Sequence, residues 1–367
     1  MDRNREIAEK RRRLREFLAR EGLGAAVFST QALYSWYTGG GDGRVAIGTD
    51  AASAHIVATG EQGSRDVVVT TNIEAPRLES EDLAGTVDFD LRAVPWHEEE
   101  ALAAAVASLL SGRRAASDTG AFGLPRLPGS FQELTYVLTE RERERYRALG
   151  ADCSEALEGA LSGLPRGSTE QEVASRLGRE LLARGVLPQV ILVAADERAR
   201  LFRHPLPTSL RARGHIVASI CGKRGGLVAS ATRVVSFGQP DAELRRRHDA
   251  VVRVDAALIR ATAAGRCVGD VFAEGVRAYE EAGFPGEWRL HHQGGATGYQ
   301  GRSYRAHARS RQTVLDGQAF AWNPSIAGTK SEDTILVNGS GQEVLTACRR
   351  WPAIHVDGLA RADVLAL

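Results

Sequence analysis

Apolar residues recur at helical spacing near the start of the chain. Within residues 6–20, Ile7, Leu14, Phe17 and Leu18 fall on one face, while Arg and Glu fill most other positions. This pattern predicts an amphipathic helix. Two strand-like runs and a helical segment follow, at 25–28, 66–71 and 97–111. Together they predict an α/β domain over residues 1–135, and the Gly- and Pro-rich stretch 120–131 marks its boundary.

Residues 136–367 predict helix pairs separated by strands. Two helix starts show capping-box patterns, Thr139 with Glu142 and Ser168 with Gln171, in which two side chains satisfy backbone N–H groups reciprocally. Two more helices and six strands are predicted at 241–263, 268–282, 189–193, 215–221, 227–237, 319–322, 334–337 and 343–346. This order favours an α+β fold with a mainly antiparallel sheet.

Composition narrows the class of protein and its surroundings. The 367 residues are 43% hydrophobic and 25% charged, with a net charge of +1, which is typical of a globular protein and gives no reason to expect nucleic acid as a partner. No apolar run reaches the roughly 18 residues that span a bilayer, and the N-terminus does not have the pattern of a secretory signal. The four scattered cysteines fit a reducing compartment. We therefore expect a cytoplasmic protein with no membrane partner.

The candidate chemistry lies in short motifs after the predicted helix pair. In chain order they are Arg203-His204-Pro205, Ser230-Ala231-Thr232-Arg233, His292-Gln293-Gly294-Gly295, Asn323-Pro324 and Glu332-Asp333. With residues 24–28 and 34–39 near the start, this order resembles the pita-bread family of methionine aminopeptidase, aminopeptidase P, prolidase and creatinase. The resemblance implies a pita-bread catalytic domain over residues 136–367, a smaller creatinase-type α/β domain over residues 1–135, and a homodimer.

The resemblance also implies where the dinuclear metal centre of that family would lie. The family's metal ligands, two Asp, one His and two Glu, fall here on or near Ser219 and on Ser230, Gly295, Asn323 and Glu332. Only Glu332 keeps a carboxylate. Hydroxyl and amide groups are weak, neutral substitutes for the ligands that Mn²⁺ or Co²⁺ require. We therefore expect no metal and no other cofactor.

His204 and Glu332 are the candidate catalytic residues. His204 matches the histidine that acts as general acid/base in creatinase, the metal-free member, and imidazole suits that role because its pKa lies near neutrality. Glu332 matches a glutamate that holds the cationic substrate of creatinase. Its charge needs a partner, which Lys330, Arg233 or a substrate would supply. The alternatives are a loop histidine before Pro205 and a structural Glu332–Arg233 ion pair.

Further residues are predicted to shape a pocket for a small-molecule substrate. Thr232 stands where creatinase has a second substrate glutamate, so creatine itself is not expected. Arg302 and Arg233 could bind a carboxylate together. At most one of His291 and His292 is expected to face the site, and the sequence leaves open which one. The predicted pocket residues are Thr232, Arg233, His292, Arg302, Asn323 and Lys330.

These residues predict a metal-independent, creatinase-like enzyme that hydrolyses a C–N bond in a small polar compound, such as an amino acid derivative or a short amide. Elimination or rearrangement started by the same histidine, in a specialised pathway, is an alternative reaction. Two other classes stay open, a non-catalytic pita-bread binding protein and a metal-dependent Xaa-Pro aminopeptidase. The joint presence of His204, Glu332 and a glycine-lined pocket favours the enzyme.

Overall fold

The computed structural model describes residues 1–339 and 341–367. The chain divides into two compact units. Unit 1 contains residues 1–135 and 139–142, and unit 2 contains residues 136–138 and 143–367.

Unit 1 is built on a five-stranded mixed sheet. Its strands are β1 Ala25–Thr30, β2 Ala51–Thr59, β3 Asp66–Thr71, β4 Phe89–Val94 and β5 Ala115–Ser117, in the order β4-β3-β2-β1-β5. The pairs β1–β2 and β2–β3 are antiparallel, whereas β3–β4 and β1–β5 are parallel. The helices are α1 Arg3–Glu21, α2 Gln31–Tyr37, α3 Ala75–Arg77 and α4 Ala101–Leu110.

The first helix shows how the sequence pattern becomes structure. Its four predicted apolar residues are all fully buried. The Asp2 side chain accepts a hydrogen bond from the backbone N–H of Arg5 and caps the start, and Gly22 ends the helix in the left-handed conformation at φ 63°, which glycine adopts without steric cost. The prediction of an amphipathic helix here is confirmed.

Unit 2 contains a four-stranded and a five-stranded sheet. The first, in the order β18-β8-β7-β6, is made of β6 Leu187–Ala195, β7 His215–Arg224, β8 Leu227–Ser236 and β18 Val364–Ala366. The second, in the order β10-β9-β11-β14-β15, is made of β9 Gly294–Thr297, β10 Tyr304–Arg305, β11 Ala319–Trp322, β14 Asp333–Asn338 and β15 Gly341–Val344. Two strand pairs complete the unit, β12 Ser325–Ile326 with β13 Thr329–Lys330, and β16 Ala353–Val356 with β17 Leu359–Ala362.

The helices of this half of the chain are α5 Glu140–Leu161, α6 Glu170–Ala183, α7 Glu197–Leu201, α8 Ala242–Ala261 and α9 Val268–Glu281. Among the described residues, every strand pairing of unit 2's sheets is antiparallel except that of β18 with β8. The predicted α+β fold with a mainly antiparallel sheet is confirmed.

One predicted helix cap is wrong by one residue. The capping box of α6 joins Thr169 to Glu172, whereas the Ser168 hydroxyl donates to the carbonyl oxygen of Pro165 at 2.8 Å. Both pairs satisfy the Ser/Thr-x-x-Glu/Gln pattern. The charged carboxylate of Glu172 accepts a backbone N–H at a helix N-terminus more strongly than the amide of Gln171 would, which favours the second pair.

Helices α8 and α9 pack against the five-stranded sheet and fix its position. Leu258 of α8 and Val271 of α9 share one buried cluster with Phe320 and Trp322 of β11. A Cβ on Gly275 of α9 would lie 2.6 Å from a methyl carbon of Leu258, so the close approach of the two helices requires glycine there. This packing places β11 and β14 against the two helices, and the candidate site lies at the ends of these strands.

Candidate functional site

Backbone pairing brings the predicted site residues together. Ser219 of β7 is opposite Thr232 of β8, and Thr232 forms an isolated bridge with Glu332. In the other sheet Trp322 is opposite Asp333, which places Asn323 and Glu332 next to each other at the ends of β11 and β14. Residues 100 positions apart in the chain thus meet where the two sheets join.

Glu332 is held by two cations of its own chain. Its carboxylate lies 2.6 Å from Nζ of Lys330 and 3.1 Å from a guanidinium nitrogen of Arg302. The Thr232 hydroxyl donates to the same carboxylate at 2.7 Å. Burial acts to raise the pKa of Glu332, but Lys330 and Arg302 together lower this pKa to about 2. The carboxylate is therefore charged at neutral pH and already balanced.

The hydroxyls around Glu332 form a directed chain. Because Thr232 donates its proton to Glu332, Ser219 must donate to Thr232 across their 2.6 Å contact. Ser219 then accepts from the Lys330 ammonium at 3.5 Å. Ser230 lies beside this chain and accepts from Arg302 at 3.4 Å. The hydroxyls of Ser219 and Thr232 therefore link the Lys330 ammonium to the Glu332 carboxylate by hydrogen bonds.

The residues at the family's metal positions do not fit a dinuclear centre. Ser219 and Ser230 provide neutral hydroxyls that are used in the network just described. Gly295 provides no side chain, and a Cβ there would lie 2.2 Å from the carbonyl oxygen of Tyr304, so this backbone has no room for a histidine. The Lys330 ammonium, 2.6 Å from Glu332, would repel an ion bound to that carboxylate. These five positions therefore provide one carboxylate and no imidazole for a metal ion.

Asn323 lies at the remaining one of the five metal-ligand positions. Its side chain is buried, and its Oδ1 accepts no hydrogen bond from the described residues. Its backbone N–H donates to the carbonyl oxygen of Gln293 at 3.1 Å. A neutral amide oxygen of this kind is a weak ligand for a divalent ion.

Arg233 does not take part in the predicted carboxylate clamp. It is fully buried and pairs with Asp333 at 3.1 Å, and it also donates to the carbonyl oxygen of Thr346 at 2.7 Å. The alternative of a structural ion pair between Arg233 and the Glu332 carboxylate is also wrong, because Asp333 takes that guanidinium instead. Asp333 in turn pairs with Arg361, so Arg233 belongs to a buried structural network.

Three histidine rings meet beside this network. His204 lies in the loop after α7, and His291 and His292 lie between a 3₁₀ turn at Glu287–Leu290 and β9. Nε2 of His204 is 3.0 Å from Nε2 of His291, and the rings of His291 and His292 stack with their centroids 4.4 Å apart. The His292 ring centroid is 6.0 Å from that of His204.

The expectation that at most one of His291 and His292 faces the site is therefore wrong. Side chains alternate between faces only within a strand, and both residues precede β9. His291 was absent from the predicted pocket residues, although the His-His dipeptide was visible in the sequence.

The electrostatics of the site keep these imidazoles neutral. Burial and the charge of Lys330 lower the pKa of His204. Burial and the same charge lower the pKa of His291 to about 2. Burial and the charge of Arg302 lower the pKa of His292 to about 4. A neutral imidazole carries the lone pair that a general base needs.

A small pocket connects the histidine loop to the Glu332 network. It is lined by Ser219 and Lys330 together with Phe202, Arg203 and Pro205, which flank His204 in the sequence. Arg203 is fixed there by an ion pair with Glu287 at 2.6 Å. Arg203 and Lys330 are the two cations that line this pocket.

The fold of unit 2 is that of a pita-bread protein. The sequence model of metallopeptidase family M24 matches residues 144–339, and the chain belongs to that family.

The chain has low sequence identity to the relatives and solved structures that follow. An uncharacterized peptidase of Staphylococcus aureus is 24% identical over 226 residues, which are 59% of this chain and 64% of the relative. This chain thus matches less than two thirds of the length of such curated relatives. Among solved structures, the Xaa-Pro dipeptidase from Bacillus anthracis has a TM-score of 0.78 at 17% identity and covers 98% of this chain and 100% of its own. The prolidase from Pyrococcus horikoshii has a TM-score of 0.76 at 16% identity over 93% and 99% of the two chains. These structures share the fold.

Among the described residues, no helix is both long enough and apolar enough to cross a bilayer.

Proposed function

We propose that this protein hydrolyses a C–N bond in a small polar compound, an amino acid derivative or a short amide, without the dinuclear metal centre of its family. One observation carries the proposal: Lys330 and Arg302 pair with Glu332, the only carboxylate kept from the family's metal ligands. Membership in a family of peptidases supports the reaction class. Two fixed cations beside a buried carboxylate support a reaction in which protein side chains provide the positive charge.

His204 is the proposed general base. Its neutral imidazole takes a proton from a water molecule as the water oxygen bonds to the substrate carbon. The same imidazole then gives that proton to the nitrogen that leaves as the C–N bond breaks, so protons and electron pairs balance. His291, at 3.0 Å, orients the ring through a hydrogen bond, and general acid–base catalysis of this kind contributes roughly 10²–10⁴-fold.

Lys330 and Arg302 are the proposed electrostatic stabilisers. Negative charge develops on the substrate oxygen as water adds to an acyl or carbamoyl carbon, and fixed cations in a site of low water content stabilise that charge. This assignment changes the role expected for Glu332. Its charge is already balanced within the chain, so it is proposed to position the two cations and not to hold a cationic substrate.

The homodimer and the cytoplasmic location stay predictions from the sequence and its family resemblance.

The proposal is tested by a substrate screen in the presence of a chelator. Full-length protein without an affinity tag is treated with EDTA and incubated with N-acyl and N-carbamoyl amino acids, short amides and Xaa-Pro dipeptides, and amine release is measured. We expect hydrolysis that persists in EDTA. In His204→Gln, kcat should fall by at least about 100-fold with KM nearly unchanged, because the base is lost and binding is not. His307→Gln, an exposed histidine elsewhere in unit 2, is the matched control.

Two results would contradict the proposal. Activity that appears only after addition of Mn²⁺ or Co²⁺ would show that the protein is a metal-dependent peptidase. Binding of these compounds without turnover would favour the non-catalytic alternative.

A further inference from the structure

The three histidines also have the geometry of a ligand set. One ring nitrogen from each of His204, His291 and His292 lies within 4.8 Å of the others, and the closest pair is 3.0 Å apart. Two imidazole nitrogens at that distance share one proton, so the accepting nitrogen uses its lone pair in the hydrogen bond and a bound ion must displace that proton. A tetrahedral ion with metal–nitrogen bonds of about 2.0–2.1 Å needs nitrogens about 3.3 Å apart. The closest pair lies near that value, and a pair at the 4.8 Å limit would have to close by about 1.5 Å.

The backbone that carries two of these rings is fixed. The Gln293 side chain donates to the carbonyl oxygen of His291 at 2.6 Å and to that of Trp288 at 3.1 Å. The Tyr279 hydroxyl donates to Oε1 of Gln293 at 2.8 Å, and Gln293 is buried. The third ring, that of His204, is exposed and follows Arg203 in the loop after α7. Two ligands on a fixed backbone reduce the cost of assembling a site.

We propose that His204, His291 and His292 bind a single transition-metal ion of the kind that prefers imidazole, with Zn²⁺ as the representative. This site differs from the family's dinuclear centre, because it uses none of the five positions of that centre and contains no oxygen ligand. Three protein ligands leave a fourth position for solvent or a small ligand.

The surrounding charges set the selectivity of the site. Lys330 and Arg302 outnumber their partner Glu332, and this net positive charge weakens the binding of any cation. Ions that bind imidazole strongly, such as Zn²⁺, Ni²⁺ and Cu²⁺, can overcome this opposition, whereas Mg²⁺ and Mn²⁺ favour oxygen ligands and cannot. An ion in this site uses the lone pair of His204 that a general base needs. A protein molecule with a metal ion bound to His204 therefore cannot use His204 as a general base at the same time.

The test is a direct binding measurement that needs no substrate. Tag-free, full-length protein is stripped with EDTA, dialysed, and titrated with Zn²⁺ or Mn²⁺ by calorimetry, and bound metal is counted by elemental analysis. We expect one Zn²⁺ per chain and no Mn²⁺. His292→Ala and His291→Ala should each weaken Zn²⁺ binding by more than tenfold, since even the loss of an outer hydrogen-bond partner of a metal ligand costs about 10–100-fold. Circular dichroism checks that each variant is folded.

Two controls locate the ion. His307→Ala should leave the affinity unchanged, and Glu332→Gln should keep one Zn²⁺ per chain. The proposal is overturned if Zn²⁺ does not bind, if His292→Ala binds as tightly as wild type, or if Glu332→Gln abolishes binding. Because calorimetry measures metal binding alone, its failure leaves the proposed hydrolysis standing, and failure of the substrate screen leaves the metal site standing.

Discussion

The ion pair between Lys330 and Glu332 makes the sharpest prediction from this structure, and Lys330→Met is the perturbation. Methionine keeps the length and most of the volume of the lysine stem but removes its ammonium. Glu332, which is only 4% exposed, would keep Arg302 and Thr232 as partners. The variant therefore leaves a buried carboxylate with half of its compensating charge.

The expected cost is about 3 kcal/mol in the free energy of unfolding at pH 7. Breaking a buried ion pair by removing one partner costs about 3–5 kcal/mol, because the remaining charge is desolvated and uncompensated. Arg302 still pairs with the carboxylate, so the lower end of that range applies. The pKa of Glu332 gives a consistent scale, since its fall from 4.5 to about 2 corresponds to about 3 kcal/mol at about 1.4 kcal/mol per pH unit.

The pH dependence of the free energy of unfolding tests the same ion pair in a second way. A carboxyl group with a depressed folded-state pKa contributes stability that is present above its unfolded pKa and is lost as pH falls through the folded pKa. For Glu332 this loss occurs from about pH 4.5 down to about pH 2. In Lys330→Met the folded-state pKa rises, so the Glu332 contribution to the pH dependence over that window becomes smaller.

The assay is urea denaturation followed by circular dichroism, for wild type, Lys330→Met and the double variant Lys330→Met/Glu332→Gln. The double variant removes both charges and should recover at least about 1 kcal/mol relative to Lys330→Met, because no unpaired carboxylate remains. A cost below about 1 kcal/mol for Lys330→Met, or a double variant less stable than the single one, would refute the reasoning and show that Glu332 is solvated or neutral.

Two further predictions concern stability elsewhere in unit 2. Thr169→Ala should cost about 1 kcal/mol in urea denaturation because it removes the cap of α6, whereas Ser168→Ala should be nearly neutral, and equal costs would show that the cap assignment is wrong. Arg361→Met should cost at least about 3 kcal/mol, since it leaves Asp255 and Asp333 buried without their shared guanidinium. The matched change Arg147→Met at an exposed ion pair should have no resolvable effect, and similar losses in both would contradict the role of burial.

Much of the secondary structure was predictable because it depends on local pattern. The strand over 66–71 and the strand over 319–322 were predicted with the bounds that the structure has. The C-terminal strands β16, β17 and β18 were not predicted. Their short, mixed sequences lack a clear alternation of apolar and polar residues, and their pairing partners decide their conformation.

The partners of the charged site residues could not be predicted in the same way. Arg302 and Glu332 are 30 positions apart, and Arg233 and Asp333 are 100 apart. In the sequence, both Arg233 and Lys330 were candidate ion-pair partners of Glu332. The register of the strands decided between them. The bridge between Thr232 and Glu332 brings the Thr232 hydroxyl to the Glu332 carboxylate. The next residue in each strand, Arg233 and Asp333, pairs with the other.

The sequence by itself determined the types of side chain available to the site, because residue type fixes whether a side chain can be a carboxylate, an imidazole or an amide. It also determined the family, through motifs whose order survives low identity. Only the tertiary structure decided that Lys330 and Arg302 neutralise Glu332, that Gly295 has no room for a side chain, and that three histidines from two loops meet. Those outcomes depend on the register of two sheets and the packing of α8 and α9 behind them, which place distant residues within hydrogen-bond distance and have no local signature in the chain.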